Sequence, residues 1–551
     1  MDNLRIISLG GFGKVTSNMF VYEYGDDILL VDCGIGFPTE DMLGVDLLIP
    51  DVSYLKNKHK SIRALVLTHG HEDHTGALPY ILPQLKNVPV YASKLTAHLV
   101  MEKLAEYEGI PKLVNILVPG QPLTLGKFTV ESTRISHSIP DATNLIIKTP
   151  VGTVYHGSDF KFDFSPVDSV LPDVGAIAAA GNSGVQLLLS DCLGSERKGY
   201  TPSEKTLEEM FEREINTCPG KFIVTTMGSN ISRFRQAIDA AVRHGRRVAV
   251  LGRSIGRNLN VAQNLGYLKV PKGVFIDPKQ ARRFPPQNLC LLVAGSQGQT
   301  GSAMDRLSMG EHQDAAIKSG DKIVFSSDYI PGTESATQSL IDSLSKLGAT
   351  VVYSNITDNL HVSGHGSQQD LLLMMALTRP KYLLPIGGTY RHMVQYSRLA
   401  QSMGYQASQI LLPEFNQTID MSPEDVKLGS VVEVKNVMVD GLGVGDVGHV
   451  VLRDRQVLAE EGVVVAVVQT KQNQLSQIEN VDLISRGFVF NKENTNLLSE
   501  ASAQVKQNVS RKAGHIDSER HLRELVADTL ERFFFEKTGR RPMILPVVVE
   551  V

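Results

Sequence analysis

The sequence predicts an α/β protein: an αβ/βα sandwich, a parallel α/β domain inserted into it, and a small α+β domain at the C-terminal end. Three observations carry this prediction. At 551 residues the chain exceeds what one hydrophobic core serves, so roughly two to four units are expected. Residues 1–200 alternate short β-rich runs with Gly, Pro and Asp turns, the texture of packed sheets with helices outside. Residues 201–355 alternate helix and strand, the texture of a parallel sheet.

The elements follow in order. Strands are expected at 6–9, 19–24, 28–31, 65–68, 128–133, 145–148 and 153–156. A Thr201-Pro202-Ser203 start opens a helix to about 216, followed by strand 221–225, helix 232–244 and strand 247–251. The stretch 356–440 returns to the first texture, which makes 201–355 an insertion, and 441–454 reads as a linker. The terminal domain, 455–551, holds strands at 463–469 and 488–490. A helix follows, with Leu522, Leu525, Val526, Leu530 and Phe533 on one face, then the Gly539 stop and a strand over 543–551.

Composition narrows the class. No stretch approaches the ~18 apolar residues of a membrane helix, and the start Met1-Asp2-Asn3-Leu4-Arg5 lacks a basic and apolar leader, so a cytoplasmic protein with no membrane partner is expected. Cys33, Cys192, Cys218 and Cys290 form no CxxC pair, which argues against disulfides and thiolate zinc. With a net charge of −4, nucleic-acid binding has to come from local cationic clusters. One exists: Arg233, Arg235, Arg243, Arg246, Arg247, Arg253 and Arg257 stand against a single acid, Asp239, and Arg246, Arg247 and Arg253 are the expected phosphate contacts. Alone, such a run is more often a solvated helix face.

The chemistry concentrates in His69-Gly70-His71-Glu72-Asp73-His74, between a strand and the small-residue helix entry Thr75-Gly76-Ala77-Leu78. A turn lets these side chains converge on one point, and imidazole with carboxylate suits Zn²⁺. His137 and Asp159 each follow a strand end and add two further ligands.

This order, HxHxDH with a later His and a later Asp, resembles the metallo-β-lactamase superfamily, with Asp32 as its supporting acid. Leu188-Leu189-Ser190-Asp191, the motifs 225–230, 252–254 and 295–298, and His361-Val362-Ser363-Gly364-His365 resemble the β-CASP nucleases, and among them the ribonuclease J family. The tail segments 484–489 and 540–546 are similar to that family's C-terminal domain, so the resemblance spans essentially the whole chain.

The resemblance implies a metal-dependent ribonuclease, a 5′-to-3′ exonuclease with endonucleolytic cutting as a second mode. One zinc would be held by His69, His71 and His137 and another by Asp73 and His74, with Asp159 bridging; Mn²⁺ or Mg²⁺ are the alternatives. Asp73 is either ligand or base, and His365 and Asp191 join it as catalytic residues. His361, Ser363, Gly364 and His365, with Ser229, Arg253 and Ser254, would grip RNA phosphates.

One departure bears on all of this. The family usually reads His-Gly-Glu-Tyr-Arg near the end of the metal domain, and this chain has Gly387-Gly388-Thr389-Tyr390-Arg391, so the last ligand of the second zinc is a glycine. Either three protein ligands hold a weakened second metal, or His392 or His365 supplies the fourth. The alternative function is a weakly catalytic or non-catalytic RNA-binding partner, like the less active of two paralogues. Expected partners are 5′-monophosphorylated RNA and either copies of this chain, as dimer or tetramer, or a second ribonuclease J paralogue. A small-ester or lactam hydrolase is a third reading, without support from the inserted and terminal domains.

Overall fold

Short runs of Val, Ile and Leu bounded by Gly and Asp become strands buried on both faces, as in Asp27–Val31 and Leu187–Asp191. The computed structural model describes residues 3–330, 332–472, 474–488 and 495–551. Two units are distinguished: Leu47–Val437 with the segment up to Phe37, and Met438–Val551 with Pro38–Asp46.

The first unit contains an eight-stranded and a six-stranded sheet. In the first, Leu4–Gly10, Met19–Tyr24, Asp27–Val31 and Ile62–Leu67 lie side by side. In the second, Tyr382–Ile386, Leu187–Asp191, Gly152–His156, Thr143–Thr149 and Phe128–Arg134 are neighbours. Their inner faces share one core, in which Ile6, Phe20, Leu29 and Val66 meet Phe128, Leu145, Val154 and Leu189. The outer face of the six-stranded sheet is closed by helices Val174–Ser183, Gln368–Thr378 and Tyr390–Ser402 through Ile177, Met374 and Met393. Each fully buried aliphatic side chain contributes about 1.5–3 kcal/mol relative to exposure, so the strand ends of the sandwich form a stiff platform.

The insertion is a five-stranded parallel sheet ordered Arg247–Leu251, Leu289–Val293, Phe222–Thr225, Lys322–Phe325, Thr350–Val352. Helices Leu207–Asn216, Ile231–Arg243 and Arg253–Asn264 contribute to the core on one face, and Ala303–Ser308 and Glu334–Lys346 to that on the other. Loops 226–230 and 294–298, and Gly252 leading into helix Arg253–Asn264, all follow the C-terminal ends of its strands, where open α/β sheets bind ligands.

In the second unit, Val463–Lys471 alternates so that Val464, Ala466 and Val468 face helices Thr495–Arg511 and Glu519–Thr538. It pairs with Gln474–Arg486 on one side and Met543–Glu550 on the other. The chain leaves the last helix at Gly539, φ +70°, as the sequence predicts. Other expectations differ. A strand that the sequence did not reveal lies at Gln474–Arg486; of the strand expected at 488–490, Val489 and Phe490 fall outside the described residues. Phe488 is buried against Phe534, 5.0 Å between ring centroids. Within the expected linker 441–454 lie strand Gly443–Val444 and the start of helix His449–Glu461, which has no buried residue and so lacks the apolar stripe that would reveal it.

Candidate metal centre

Strand Ile62–Leu67 delivers Thr68 to His71 into a loop that enters the short helix Glu72–Thr75. Beside it, Asp32 leaves strand Asp27–Val31 in a left-handed conformation, φ 60°. Its buried carboxylate accepts the Thr68 amide at 2.8 Å and His74 Nδ1–H at 2.8 Å, so the acid organises the loop from behind. His137 and Asp159 arrive from the six-stranded sheet, past Phe128–Arg134 and Gly152–His156.

Three imidazole nitrogens converge. His71 Nδ1 lies 3.1 Å from His69 Nε2 and 3.1 Å from His137 Nε2. Asp159 Oδ2 lies 3.8 Å from His69 Nε2 and 3.8 Å from His137 Nε2. The outward nitrogens have partners of their own: His69 Nδ1 meets Thr68 Oγ1 at 3.1 Å, His137 Nδ1–H donates to the Gly364 carbonyl at 2.7 Å, and His71 Nε2 meets Ser138 Oγ at 3.3 Å. His69 and His137 therefore turn lone pairs toward His71 Nδ1, and one proton there satisfies only one of them. A cation suits all three. Tetrahedral zinc bound by nitrogens at 2.0–2.1 Å sets them roughly 3.3 Å apart, so the donor set fits the metal. Burial, reinforced by the neighbouring rings, pushes His69 and His137 well below the usual imidazole range; burial takes His71 to about 3, leaving neutral ligands.

A second group adjoins the first. His74 Nε2 lies 3.2 Å from Asp159 Oδ2 and 3.6 Å from Asp73 Oδ2, and Asp159 belongs to both groups. Burial works against charge on His74, but Asp159, Asp32 and Asp73 outweigh it and raise its pKa. Burial lifts Asp73 to about 6, opposed by His74 and assisted by Asp159. Burial likewise opposes charge on Asp159, and His74 and His365 overcome it, holding the carboxyl well below its usual range.

Beyond Asp159, His365 Nδ1–H donates to Asp191 Oδ2 at 2.7 Å, and its Nε2 lies 4.0 Å from Asp159 Oδ2. Burial disfavours charge on His365, yet Asp191 and Asp159 raise its pKa to about 9, so the ring carries a proton at neutral pH. Gly387, φ +66°, borders this space: a Cβ there would lie 3.5 Å from Asp159 Oδ1 and 3.9 Å from Asp191 Oδ1. Of the two alternative donors, His365 stands at the cluster. His392 does not, because its Nδ1 is held by the Thr389 amide at 3.1 Å and Thr389 Oγ1 at 3.0 Å in a capping box.

Gly364 has to be glycine, since a Cβ would sit 2.6 Å from His137 Cε1. The loop through it also sets Ser363, whose Oγ accepts from Arg197 Nη2 at 2.9 Å and from the His365 amide at 3.1 Å. Ser229 is partly exposed in the loop after Phe222–Thr225; Arg253 and Ser254 are exposed at the start of Arg253–Asn264.

The basic run is not one surface. Arg233 is fully buried on Glu204, and Arg246 is buried, donating to the carbonyls of Gly220 and Cys218 at 2.7 Å each. Arg243 pairs with Glu212 and Arg257 with Glu106. Arg246 is thus withdrawn from the expected phosphate contacts, because its guanidinium is spent on carbonyls at the sheet edge. Arg247 and Arg253 are exposed. If they meet RNA, Arg247→Gln with Arg253→Gln flattens the salt dependence of RNA affinity by about 0.7 per lost phosphate contact, measured by binding titrations at several salt concentrations. An unchanged slope returns both to solvent.

Sequence reading missed Thr68, Ser138, Arg197 and Asn18, whose Nδ2 lies 3.2 Å from His74 Nε2. Thr68 and Ser138 directly adjoin predicted ligands and were findable as their outer partners; Asn18 carried no signal.

An αβ/βα sandwich with paired His/Asp groups at its strand ends and an inserted parallel domain defines a metallo-β-lactamase-fold hydrolase with a β-CASP domain. Residues 12–161 match the metallo-β-lactamase superfamily, 219–344 the ribonuclease J β-CASP domain, 348–410 the Zn-dependent metallo-hydrolase RNA specificity domain, and 450–551 the ribonuclease J C-terminal domain. The chain is 37% identical to ribonuclease J2 of Bacillus subtilis, covering 100% of this chain and 99% of that one. It is 38% identical to ribonuclease J of Thermus thermophilus, covering 100% and 96%. The chain belongs to the ribonuclease J family. A crystal structure of a protein of unknown function from Enterococcus faecalis shares the fold, with TM-score 0.53 and 16% identity over 76% of this chain and 100% of that one.

Proposed function

We propose that the chain is a metal-dependent ribonuclease that hydrolyses RNA phosphodiesters, chiefly 5′ to 3′ from a monophosphorylated end and also internally. The observation that carries this reading is the convergence of His69, His71, His137 and Asp159, next to Asp73 and His74. Bound there, two divalent cations, Zn²⁺ with Mn²⁺ or Mg²⁺ as alternatives, supply an activated water and charge stabilisation for phosphoryl oxygens. His365, which donates to Asp191 and whose pKa is raised to about 9, would give its proton to the leaving oxygen. Asp73 serves as ligand or base. His361, Ser363 and the Gly364 backbone, with Ser229, Arg253 and Ser254 from the inserted domain, would hold the RNA backbone.

A rival reading rests on Gly387: a weakly catalytic or non-catalytic RNA-binding partner, assembled with a paralogue. Metal content per chain, measured together with cleavage of a labelled 5′-monophosphorylated RNA, separates the two. Two metals with cleavage supports the nuclease. At most one metal, with RNA binding but no cleavage under any metal supply, supports the partner.

A further inference from the structure

Arg233 is among the largest side chains with no solvent exposure; a guanidinium so placed needs acceptors, and its two terminal nitrogens find them while Nε does not. Nη2 donates to Glu204 Oε2 at 2.8 Å, and Nη1 to the Ser326 carbonyl at 2.8 Å and its hydroxyl at 2.6 Å. The other Glu204 oxygen takes Lys161 Nζ at 3.2 Å; Lys161 is fully buried, two residues past Asp159. This chain of charges ties the metal-bearing sandwich to the inserted domain and ends at the loop 361–365. Arg233 Nη1 lies 3.3 Å from His361 Nδ1, and Nη2 lies 3.4 Å from the Val362 carbonyl.

A guanidinium has donors and no acceptor, so the His361 nitrogen that faces it is the one without a proton. We propose that Arg233 is a positioning residue that holds His361 as the neutral tautomer with its proton on Nε2, giving RNA phosphate a fixed N–H donor. This rests on the reading of loop 361–365 as a phosphate grip.

Besides Arg233, the ring faces Ser326, Asp328 and Glu204. The Ser326 carbonyl hydrogen-bonds the ring and is the competing partner, but it is already engaged by Arg233 and by Thr226 Oγ1 at 2.8 Å. Nε2 points to the exposed Asp328, 3.6 Å from its Oδ2, too far for a strong hydrogen bond and readily exchanged for phosphate. Burial and then Arg233 lower the His361 pKa to about 4, against the weaker pull of Asp328, Glu204 and the Ser326 carbonyl. The ring is therefore neutral above that value and its donor does not change between pH 5.5 and 8, where a free imidazole titrates.

The test uses the full chain and a short 5′-phosphorylated RNA. At each pH from 5.5 to 8, the ratio of Kd in His361→Asn to Kd with His361 present isolates the contribution of this ring from other titrating groups. With Arg233 the ratio stays above one and flat. In the charge-compensated pair Arg233→Met with Glu204→Gln it rises roughly 3- to 10-fold toward pH 5.5, as a released imidazole with pKa near 6.5 becomes cationic. Arg233→Lys restores the flat profile, whereas a purely structural role would lower affinity equally at every pH. A ratio above one that stays flat in the paired variant overturns the tautomer assignment alone; a ratio of one throughout overturns the phosphate reading with it. One measurement needs no change at position 233. The ¹⁵N signals of the His361 ring, identified by their loss in His361→Asn, should show a protonated Nε2 and a bare Nδ1 at pH 7, and the reverse overturns the proposal.

Discussion

Replacing His71 or Asp73 by alanine should lower RNA hydrolysis by more than about 100-fold, because even residues that merely support metal ligands cost 10–100-fold when removed. The two side chains sit in different donor groups, His71 with His69, His137 and Asp159, and Asp73 with His74 and Asp159. Each variant should therefore lose a different metal. The fold should survive both, since His71 and Asp73 are only partly buried and neither belongs to a hydrophobic core. Removing His71 also relieves the lone pairs of His69 and His137 that face it, so the metal-free chain should melt no lower than the parent. Single-turnover cleavage of labelled RNA, metal content and a melting curve, taken on the same preparations, test this. Cleavage retained in both variants, with the parent metal content, would sink the assignment of a metal-dependent nuclease.

How far the sequence foretold this site depends on the distance along the chain between partners. His69 to His74 occupy six consecutive positions on a strand-to-helix turn, so their convergence is local and legible. His137, Asp159 and Asp191 come together only because strand ends of one sheet meet, and His365 joins them from the loop before helix Gln368–Thr378, which the motif order indicated and periodicity did not. The arginine run shows the opposite. Its spacing looks like one basic face, yet Arg233 and Arg246 point inward, where Glu204 and the carbonyls of Cys218 and Gly220 receive them. Nothing within the run records those acceptors. In the terminal domain, helix Thr495–Arg511 escaped notice because its buried positions are Ala501, Val505 and Val509 among Gln, Asn and Ser. Strand Gln474–Arg486 escaped because most of its side chains are polar and partly exposed. By contrast, the helix before Gly539 carries Leu522, Val526 and Leu530 at regular spacing, which makes it legible from the sequence.

Gly387→His should tighten the second metal roughly 10- to 100-fold and raise cleavage at limiting Zn²⁺ or Mn²⁺. The geometry makes room for the ligand: a Cβ at this position meets nothing closer than 3.5 Å, and its nearest atoms are the Asp159 and Asp191 carboxylate oxygens. The backbone is the opposing term. At φ +66° a side chain costs about 1–2 kcal/mol, although histidine is among the residues enriched in that region. A 10- to 100-fold gain in affinity corresponds to about 1.4–2.8 kcal/mol, so metal binding matches or exceeds the strain. The variant should accordingly melt below the parent without metal and recover when metal is added. Thr389→Glu, the other departure from the family motif, is a poorer single test. Thr389 caps helix Tyr390–Ser402 in a box with His392, and removing such a cap costs roughly 0.5–2 kcal/mol. The double variant should thus be less stable than Gly387→His and gain little further affinity. Titration of the metal-stripped chain with Zn²⁺ or Mn²⁺, followed by calorimetry and by cleavage rate, reads both effects. If the parent already binds two metals tightly and neither variant changes stoichiometry or rate, position 387 is not a missing ligand. If the parent binds at most one metal and Gly387→His gains a second together with cleavage, the glycine is what separates this chain from a fully loaded nuclease.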